Sequence, residues 1–304
     1  MTTGGLRAER LARLGRLLNA QAAPDDRAGH QARHRIDRLL DRDSPFLELS
    51  PLAPGPVTGI GLVAGTGCVV VAGPPGDPPA PKAARARDLA TACRLPLLIL
   101  EPVPETEPLH LTASPDDADA DPPATPGPDA AGARLQAETA ETARLRQAVR
   151  HGAHPTTAVP DPPEPPVPPD PDAILDAAAV NDILDHVLDG SRFDAWTGPV
   201  PDGLTLGWGA VGGLPVAVVG RDGPEPTDPP VPFLEQVRAE ALPLVRLVLA
   251  GPSATVAVAG ATGEAALAFS WPGGTAEYTG DDGAIDPRDT RVVLAIARWC
   301  VEAR

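Results

Sequence analysis

The chain states one pattern twice, about 148 residues apart, and that spacing limits its possible folds more than any other feature. Residues 36–71 run I-D-R-L-L-D-R-D-S-P-F-L-E-L and then T-G-I-G-L-V-A-G-T-G-C-V-V-V. Residues 184–219 run L-D-H-V-L-D-G-S-R-F-D-A-W and then L-G-W-G-A-V-G-G-L-P-V-A-V-V. Gly59, Gly61, Gly65 and the apolar run 68–71 fall onto Gly207, Gly209, Gly213 and the run 216–219. Leu95-Pro96-Leu97-Leu98-Ile99-Leu100 is answered by Leu242-Pro243-Leu244-Val245-Arg246-Leu247. Solenoid repeats recur every 20 to 50 residues or so, so this period describes two copies of one small α/β unit instead. A site assembled from both copies is the first expectation.

Composition narrows the partners. A net charge of −16 argues against nucleic acid, because phosphate binding needs clustered Lys and Arg. Lys82 is the only lysine, so nearly all positive charge is arginine, in a chain with 40 prolines and 30 glycines. With four phenylalanines and one tyrosine, the core has to be filled by Val, Leu, Ile and Ala. No apolar run reaches the roughly 20 residues that span a bilayer. The opening M-T-T-G-G-L-R-A-E-R lacks the apolar centre of a secretory signal, so a cytoplasmic location is expected. The odd number of cysteines, Cys68, Cys93 and Cys300, reads as buried, reduced thiols.

Along the chain, leucines at 6, 11, 14, 17 and 18 predict an amphipathic helix, and 31–40 a second one stopped by Pro45. Residues 57–72 predict two strands joined at Gly65-Thr66-Gly67, with a helix over 82–93 and a buried strand over 95–100. Residues 101–130 hold too little apolar content to fold alone. Helical character returns over 131–149, and the proline run 159–171 reads as a stiff extended spacer. In the second copy, 174–188 and 232–240 predict helices, and 204–219, 242–249 and 255–259 predict strands. Residues 260–267 are expected to turn from strand into helix. The last helix has Asp286 as N-cap and Pro287 at its first position, with Val292, Val293, Ile296 and Cys300 or Trp299 on an apolar face. The expected organisation is therefore an N-terminal helix (1–30), a first half (31–100), a linker with one helix near 131–150 (101–171) and a second half (172–304).

Three stretches, in order, resemble one family. R-I-D-R-L-L-D-R-D-S-P-F-L-E-L-S-P-L (35–52), followed by T-G-I-G-L-V-A-G, resembles the amino-terminal half of biotin-dependent acyl-CoA carboxylase β subunits. These are the carboxyltransferases of acetyl-, propionyl- and methylcrotonyl-CoA. L-D-G-S-R-F-D (188–194) resembles the start of their carboxy-terminal half, and D-D-G-A-I-D-P-R-D-T-R-V-V-L-A-I-A (281–297) their closing helix. The resemblance implies an α/β fold of two crotonase-like half-domains, each a ββα superhelix, related by duplication and here both truncated. The missing parts fall after Leu100 and after Leu249.

What the resemblance implies about chemistry can be checked residue by residue. Carboxyl transfer from carboxybiotin to an acyl-CoA develops charge on a thioester enolate and on the biotin ureido oxygen. The family implies two oxyanion holes of backbone N–H groups at glycine turns opening helices. After Leu100 this chain reads Glu101-Pro102-Val103-Pro104-Glu105, where two residues have no N–H and two add negative charge. The first hole is expected to be absent. Gly263 and Glu264 match the second turn, and their N–H groups could bind an anion or the biotin carbonyl; Glu264 could equally act as the helix cap. Lys82, Arg85 and Arg87 could meet CoA phosphates or form a solvated helical face.

Other patterns carry less. His30 with His34, and His151 with His154, lack the further ligands that a metal needs. Gly59-x-Gly61-x-x-x-Gly65 imitates a nucleotide fingerprint but precedes a strand. Lys82 lacks the Met-Lys-Met setting of a biotin carrier, so no covalent cofactor is expected; biotin would arrive on a partner carrier and acyl-CoA as a ligand. The expected function is a degenerate carboxyltransferase-like subunit that binds or assembles with an intact β subunit, a biotin carboxylase or carrier, or itself, away from membranes and nucleic acid. The alternative is a minimal active carboxyltransferase relying on Gly263 and Glu264.

Overall fold

The computed structural model describes residues 3–21, 27–73, 81–100, 128–152, 165, 170–223, 227–261, 265–272 and 282–302. Helices α1 (Thr3–Gln21) and α2 (Arg27–Leu39) lead into strands β1 (Leu47–Glu48), β2 (Val57–Val63) and β3 (Thr66–Ala72). Helix α3 (Pro81–Cys93), strand β4 (Leu97–Leu100) and helix α4 (Pro128–Gly152) follow. The second copy runs through a 3-10 helix (Pro171–Asp176), α5 (Val180–Val187), β5 (Asp194–Ala195), β6 (Leu204–Val211), β7 (Leu214–Asp222), α6 (Val231–Ala239) and β8 (Leu244–Ala250). It closes with β9 (Ser253–Ala259), β10 (Ala265–Ser270), α7 (Thr290–Ala297) and α8 (Trp299–Glu302).

The duplication is a matter of register as well as of sequence. The strands form one sheet ordered β1-β2-β3-β4 and another ordered β10-β9-β8-β7-β6-β5. Gly59 lies opposite Val70 and Gly61 opposite Cys68, while Gly207 lies opposite Val218 and Gly209 opposite Val216. In each sheet the hairpin's second strand pairs in parallel with the next strand, a connection that needs a crossover helix. That helix is α3 in one copy and α6 in the other. Both crossovers end on a residue in the left-handed region, Arg94 (φ 53°) and Ala241 (φ 52°). Both parallel pairings begin with an N–H donated to a proline carbonyl, Val69 to Pro96 and Ala217 to Pro243, each at 2.9 Å.

The two copies stack in layers. One face of the first sheet (Val63, Cys68, Val70) packs on α2 and on Val149 of α4. Its other face (Ile60, Val69, Val71), with Leu89 and Cys93 of α3, joins a core shared with α5, α7 and the second sheet. The far face of that sheet (Leu206, Ala217, Val219) is covered by Phe233 and Val237 of α6.

Polar latches fasten the layers. The fully buried Arg10 of α1 donates to the carbonyls of Leu175 (2.8 Å) and Pro252 (3.0 Å), and its guanidinium lies 4.9 Å over the Trp271 ring. Arg85 of α3 forms a bidentate pair with Asp282 at 2.8 and 2.9 Å. Asp282 is 1% exposed and also accepts the Ala268 N–H, so this latch ties α3 of the first copy to the β10 region of the second.

Several expectations shift. The first hairpin turns at Ala64-Gly65 (φ 53° and 77°), and Gly67 belongs to β3. Positive φ at both central residues matches the right-handed twist of the strands, whereas Gly65-Thr66-Gly67 would break the pairing. Residues 174–188 break into a 3-10 helix and α5 instead of one helix. Val292 is 47% exposed, and Leu294 takes the buried position instead. Residues 265–270 form a strand antiparallel to β9, not a helix. Leu267 and Phe269 alternate onto the shared core, which is the period of a strand. Helix α4, expected within a linker, lies against α2 through Arg35–Glu141 (2.6 Å) and Arg38–Glu138 (3.0 Å).

Candidate functional site

Each copy builds the same carboxylate clamp under its hairpin turn. Asp41 accepts the N–H groups of Ala64 (2.9 Å) and Gly65 (2.7 Å). Asp189 accepts those of Gly212 (3.1 Å) and Gly213 (2.7 Å). An arginine from a later helix completes each clamp: Arg146 of α4 reaches Asp41 at 2.5 Å and Arg291 of α7 reaches Asp189 at 2.6 Å. Both arginines also donate to the end of the preceding helix, Arg146 to the Leu39 carbonyl (2.8 Å) and Arg291 to that of Val187 (3.3 Å). Burial pushes the Asp41 carboxyl upward, but the two N–H groups and Arg146 outweigh it and hold the carboxyl below its ordinary value. A carboxylate held ionised by three donors fixes a turn; it is a poor proton carrier.

The paired glycines make room for side chains. A Cβ at Gly59 would stand 2.3 Å from Phe46 Cζ, and one at Gly207 would stand 2.7 Å from Phe193 Cζ. Cβ atoms at Gly61 and Gly209 would run into Leu40 (2.6 Å) and Leu188 (2.8 Å). The segment between helix and hairpin lays a Phe and a Leu across the strand, and only glycine beneath them permits it. The apparent nucleotide fingerprint is a packing motif.

The expected site residues that the structure describes, Lys82, Arg85 and Arg87, all lie on α3. Gly263 and Glu264 lie outside the described residues, as do residues 101–105; the described chain resumes at 265 as β10. Lys82 is buried and Arg87 half-buried, while the Arg85 guanidinium is committed to Asp282. The three are thus split between a buried lysine, a paired arginine and a half-buried one, on a helix that turns Ala86, Leu89, Ala90 and Cys93 into the core between the layers. His30 and His34 are exposed on α2, as is His151 on α4, and His154 lies outside the described residues. Among the described residues no three His, Cys, Asp or Glu side chains are grouped so that they could hold a metal ion. All three thiols are buried. Burial pushes the Cys68 thiol up to about 12, and contact with Cys93, then burial, raises that of Cys300.

A cleft of 710 Å³ opens between α1, α2, β1 and α7, within the size range of small-molecule sites. Its floor is apolar, with Leu14, Leu17, Phe46 and Val293, and its rim carries the bidentate Arg33–Glu48 pair (2.9 and 2.9 Å). Asp289 stands at the other wall, where burial and then the neighbouring Asp286 push its carboxyl above the ordinary range. Most of its lining is apolar, which suits it to holding an apolar group. Among the described residues no helix is long and apolar enough to cross a membrane.

No family model matches the chain. It is 53% identical over 51 residues to the biotin-dependent 3-methylcrotonyl-coenzyme A carboxylase β1 subunit of Mycobacterium tuberculosis (strain ATCC 25618 / H37Rv), a match covering 13% of this chain and 10% of that protein. It is 44% identical over 84 residues to the probable biotin-dependent acyl-coenzyme A carboxylase β2 subunit of the same organism, covering 22% of this chain and 16% of that protein. Both matches thus span far less than two thirds of those proteins. Among solved structures, the β subunit of P. aeruginosa geranyl-CoA carboxylase superposes with a TM-score of 0.51 at 17% identity, over 82% of this chain and 68% of that one. At that identity the likeness speaks for the fold: two crotonase-like halves.

Proposed function

We propose that this chain, a shortened relative of biotin-dependent acyl-CoA carboxylase β subunits, is a binding or assembly subunit without carboxyltransferase activity of its own. The observation that carries the reading is β10. Carboxyl transfer needs N–H donors preorganised toward developing oxyanions, and a helix opening on a glycine turn supplies two converging N–H groups together with its dipole. Here the chain resumes at 265 as a strand paired with β9, and the Ala268 and Ser270 N–H groups are taken by Asp282 and the Gly283 carbonyl. In the other copy, the residues after β4 begin Glu101-Pro102-Val103-Pro104, which removes two donors and adds negative charge.

The scaffold by contrast is well kept. Both clamps, both glycine pairs and both crossovers are in place, and Arg10 and Arg85 latch the layers. A frame retained without its donors suits a protein selected for its surfaces. Its partner in this reading is an intact β subunit, a biotin carboxylase or carrier, or a second copy, with biotin arriving on that partner's carrier.

The test pairs activity with association. Purified protein mixed with a carboxylated biotin carrier and acetyl-, propionyl- or methylcrotonyl-CoA is expected to incorporate no labelled carboxyl above the protein-free rate. Co-expressed with a full-length β subunit, it is expected to elute in a common complex. Turnover at a rate ordinary for these carboxylases would overturn the reading, and so would failure to associate with β subunit, biotin carboxylase, carrier or itself.

A further inference from the structure

The two copies differ at one corner, and the difference leaves a cavity. In the first copy Glu48 of β1 lies opposite Gly59, and in the second Ala195 of β5 lies opposite Gly207. Across the corner, Arg33 of α2 grips Glu48 with both forks of its guanidinium. The helix facing Ala195 is α5, and its residue at the place of Arg33 is Asn181. The second copy has thus lost both partners of the ion pair that spans the corner in the first. A cavity of 410 Å³ stands there, walled by Leu184, Phe193, Trp196 and Leu206, with Asn181 and Ala195 at its edge.

The walls are set in place. Trp196 packs edge-on against Phe233 with centroids 5.6 Å apart, and the fully buried Phe233 is held in turn by Trp208 at 5.2 Å. Phe193 lies over Gly207, where no side chain can lift it. Such a cavity needs little rearrangement to accept a ligand, which lowers the cost of binding. Two aromatic walls favour a flat ring. Asp185 is the single charged side chain in the lining, and the whole chain carries −16, so anions are disfavoured.

We infer that this corner is a binding site for a small planar ligand bearing a cationic or N–H-rich group, seated with its ring between Phe193 and Trp196 and its donors toward Asp185. The inference is independent of the proposed function, since it draws on neither the oxyanion turns nor a partner subunit.

Benzamidine and benzoate, equal in shape and opposite in charge, test it by calorimetry and saturation-transfer NMR on the full chain. Benzamidine is expected to bind with a Kd at or below the millimolar range, and benzoate at least tenfold more weakly. Asn181→Arg combined with Ala195→Glu rebuilds the first copy's ion pair in the cavity and is expected to abolish benzamidine binding. Should that pair of changes disturb folding, Ala195→Trp, at an exposed strand position, blocks the mouth without touching the core. Asp185→Asn is expected to erase the preference for the cation. Absence of benzamidine binding by the unaltered protein, equal binding of benzoate, or unchanged binding by the blocked variant would each overturn the site.

Discussion

The two halves of the molecule share their scaffold and differ where a scaffold has freedom. Several devices that fix backbone against backbone are present twice: the glycines under Phe46 and Phe193, the carboxylates under the turns, the proline carbonyls that start the parallel pairings. The positions that differ are those that could meet a ligand or a partner. One copy keeps Arg33 with Glu48 and the other has Asn181 with Ala195; among the described residues one sheet ends at β4 and the other continues through β9 and β10. Duplication therefore separates what the fold requires from what function can alter, since the two copies act as controls for each other.

The harshest test of that equivalence is to fill the glycines. Gly59→Val would drive its Cβ toward Phe46 and to 2.5 Å from the Leu47 carbonyl oxygen, and Gly207→Val would meet the Asp194 carbonyl oxygen at 2.3 Å. Backbone carbonyls cannot swing aside, so each change is expected to cost about 3 kcal/mol or more, read as loss of soluble protein or of the thermal transition. If one copy tolerates valine and the other does not, the copies do not share the device.

Next in size are the clamps. Asp41→Asn and Asp189→Asn each keep an acceptor but leave an arginine without its carboxylate, at a cost of about 1–3 kcal/mol by denaturant titration. The Asp189 side chain is 10% exposed against 23% for Asp41, so its loss should be the greater. Acid should reveal the same contacts. The folded Asp41 carboxyl lies below its ordinary value near 3.8, so its contribution is complete above that pH and disappears as pH falls through the folded value. Asn at position 41 should flatten this part of the acid transition.

A milder prediction exchanges the corners. Arg33→Asn with Glu48→Ala gives the first copy the second copy's residues. Arg33 is 35% exposed, so removing the pair should cost no more than about 1 kcal/mol. The variant should melt close to the parent while its corner becomes open to benzamidine. A stable variant that still excludes the probe would mean that the cavity in the second copy depends on Trp196 more than on the missing ion pair.

Much of this was legible in the sequence, for reasons that can be given residue by residue. The repeat exposed both hairpins and both crossovers because glycine spacing and apolar runs are set locally. Asp41 and Asp189 stood in the repeated L-D as plainly as the glycines, but an aspartate after a helix says nothing of the turn it will hold some two dozen residues on. Arg10 gave no signal, since its acceptors are main-chain carbonyls from 174–175 and 251–252. Lys82 and Arg85 looked like a basic helical face because the stacking of α3 between layers is a long-range fact. The helix expected after the glycine turn at 260–263 is a strand from 265 on, a period that Leu267 and Phe269 already carried in their alternation.

The smallest expected effect is also the one that bears most on catalysis. Gly263→Pro removes one N–H and stiffens the connection between β9 and β10 without entering either strand. If the second copy worked as a minimal carboxyltransferase through the Gly263 and Glu264 N–H groups, losing one donor should lower its rate by about 10² to 10³. If instead the chain is the non-catalytic subunit proposed above, the change should alter neither turnover nor association with a β subunit. Its thermal midpoint should stay within a few degrees of the parent, as for a substitution outside both strands. A clear loss of activity in the proline variant would restore the turn to chemistry. The contrast between the halves would then become one of division of labour, with one oxyanion site given up and the other rebuilt on a hairpin.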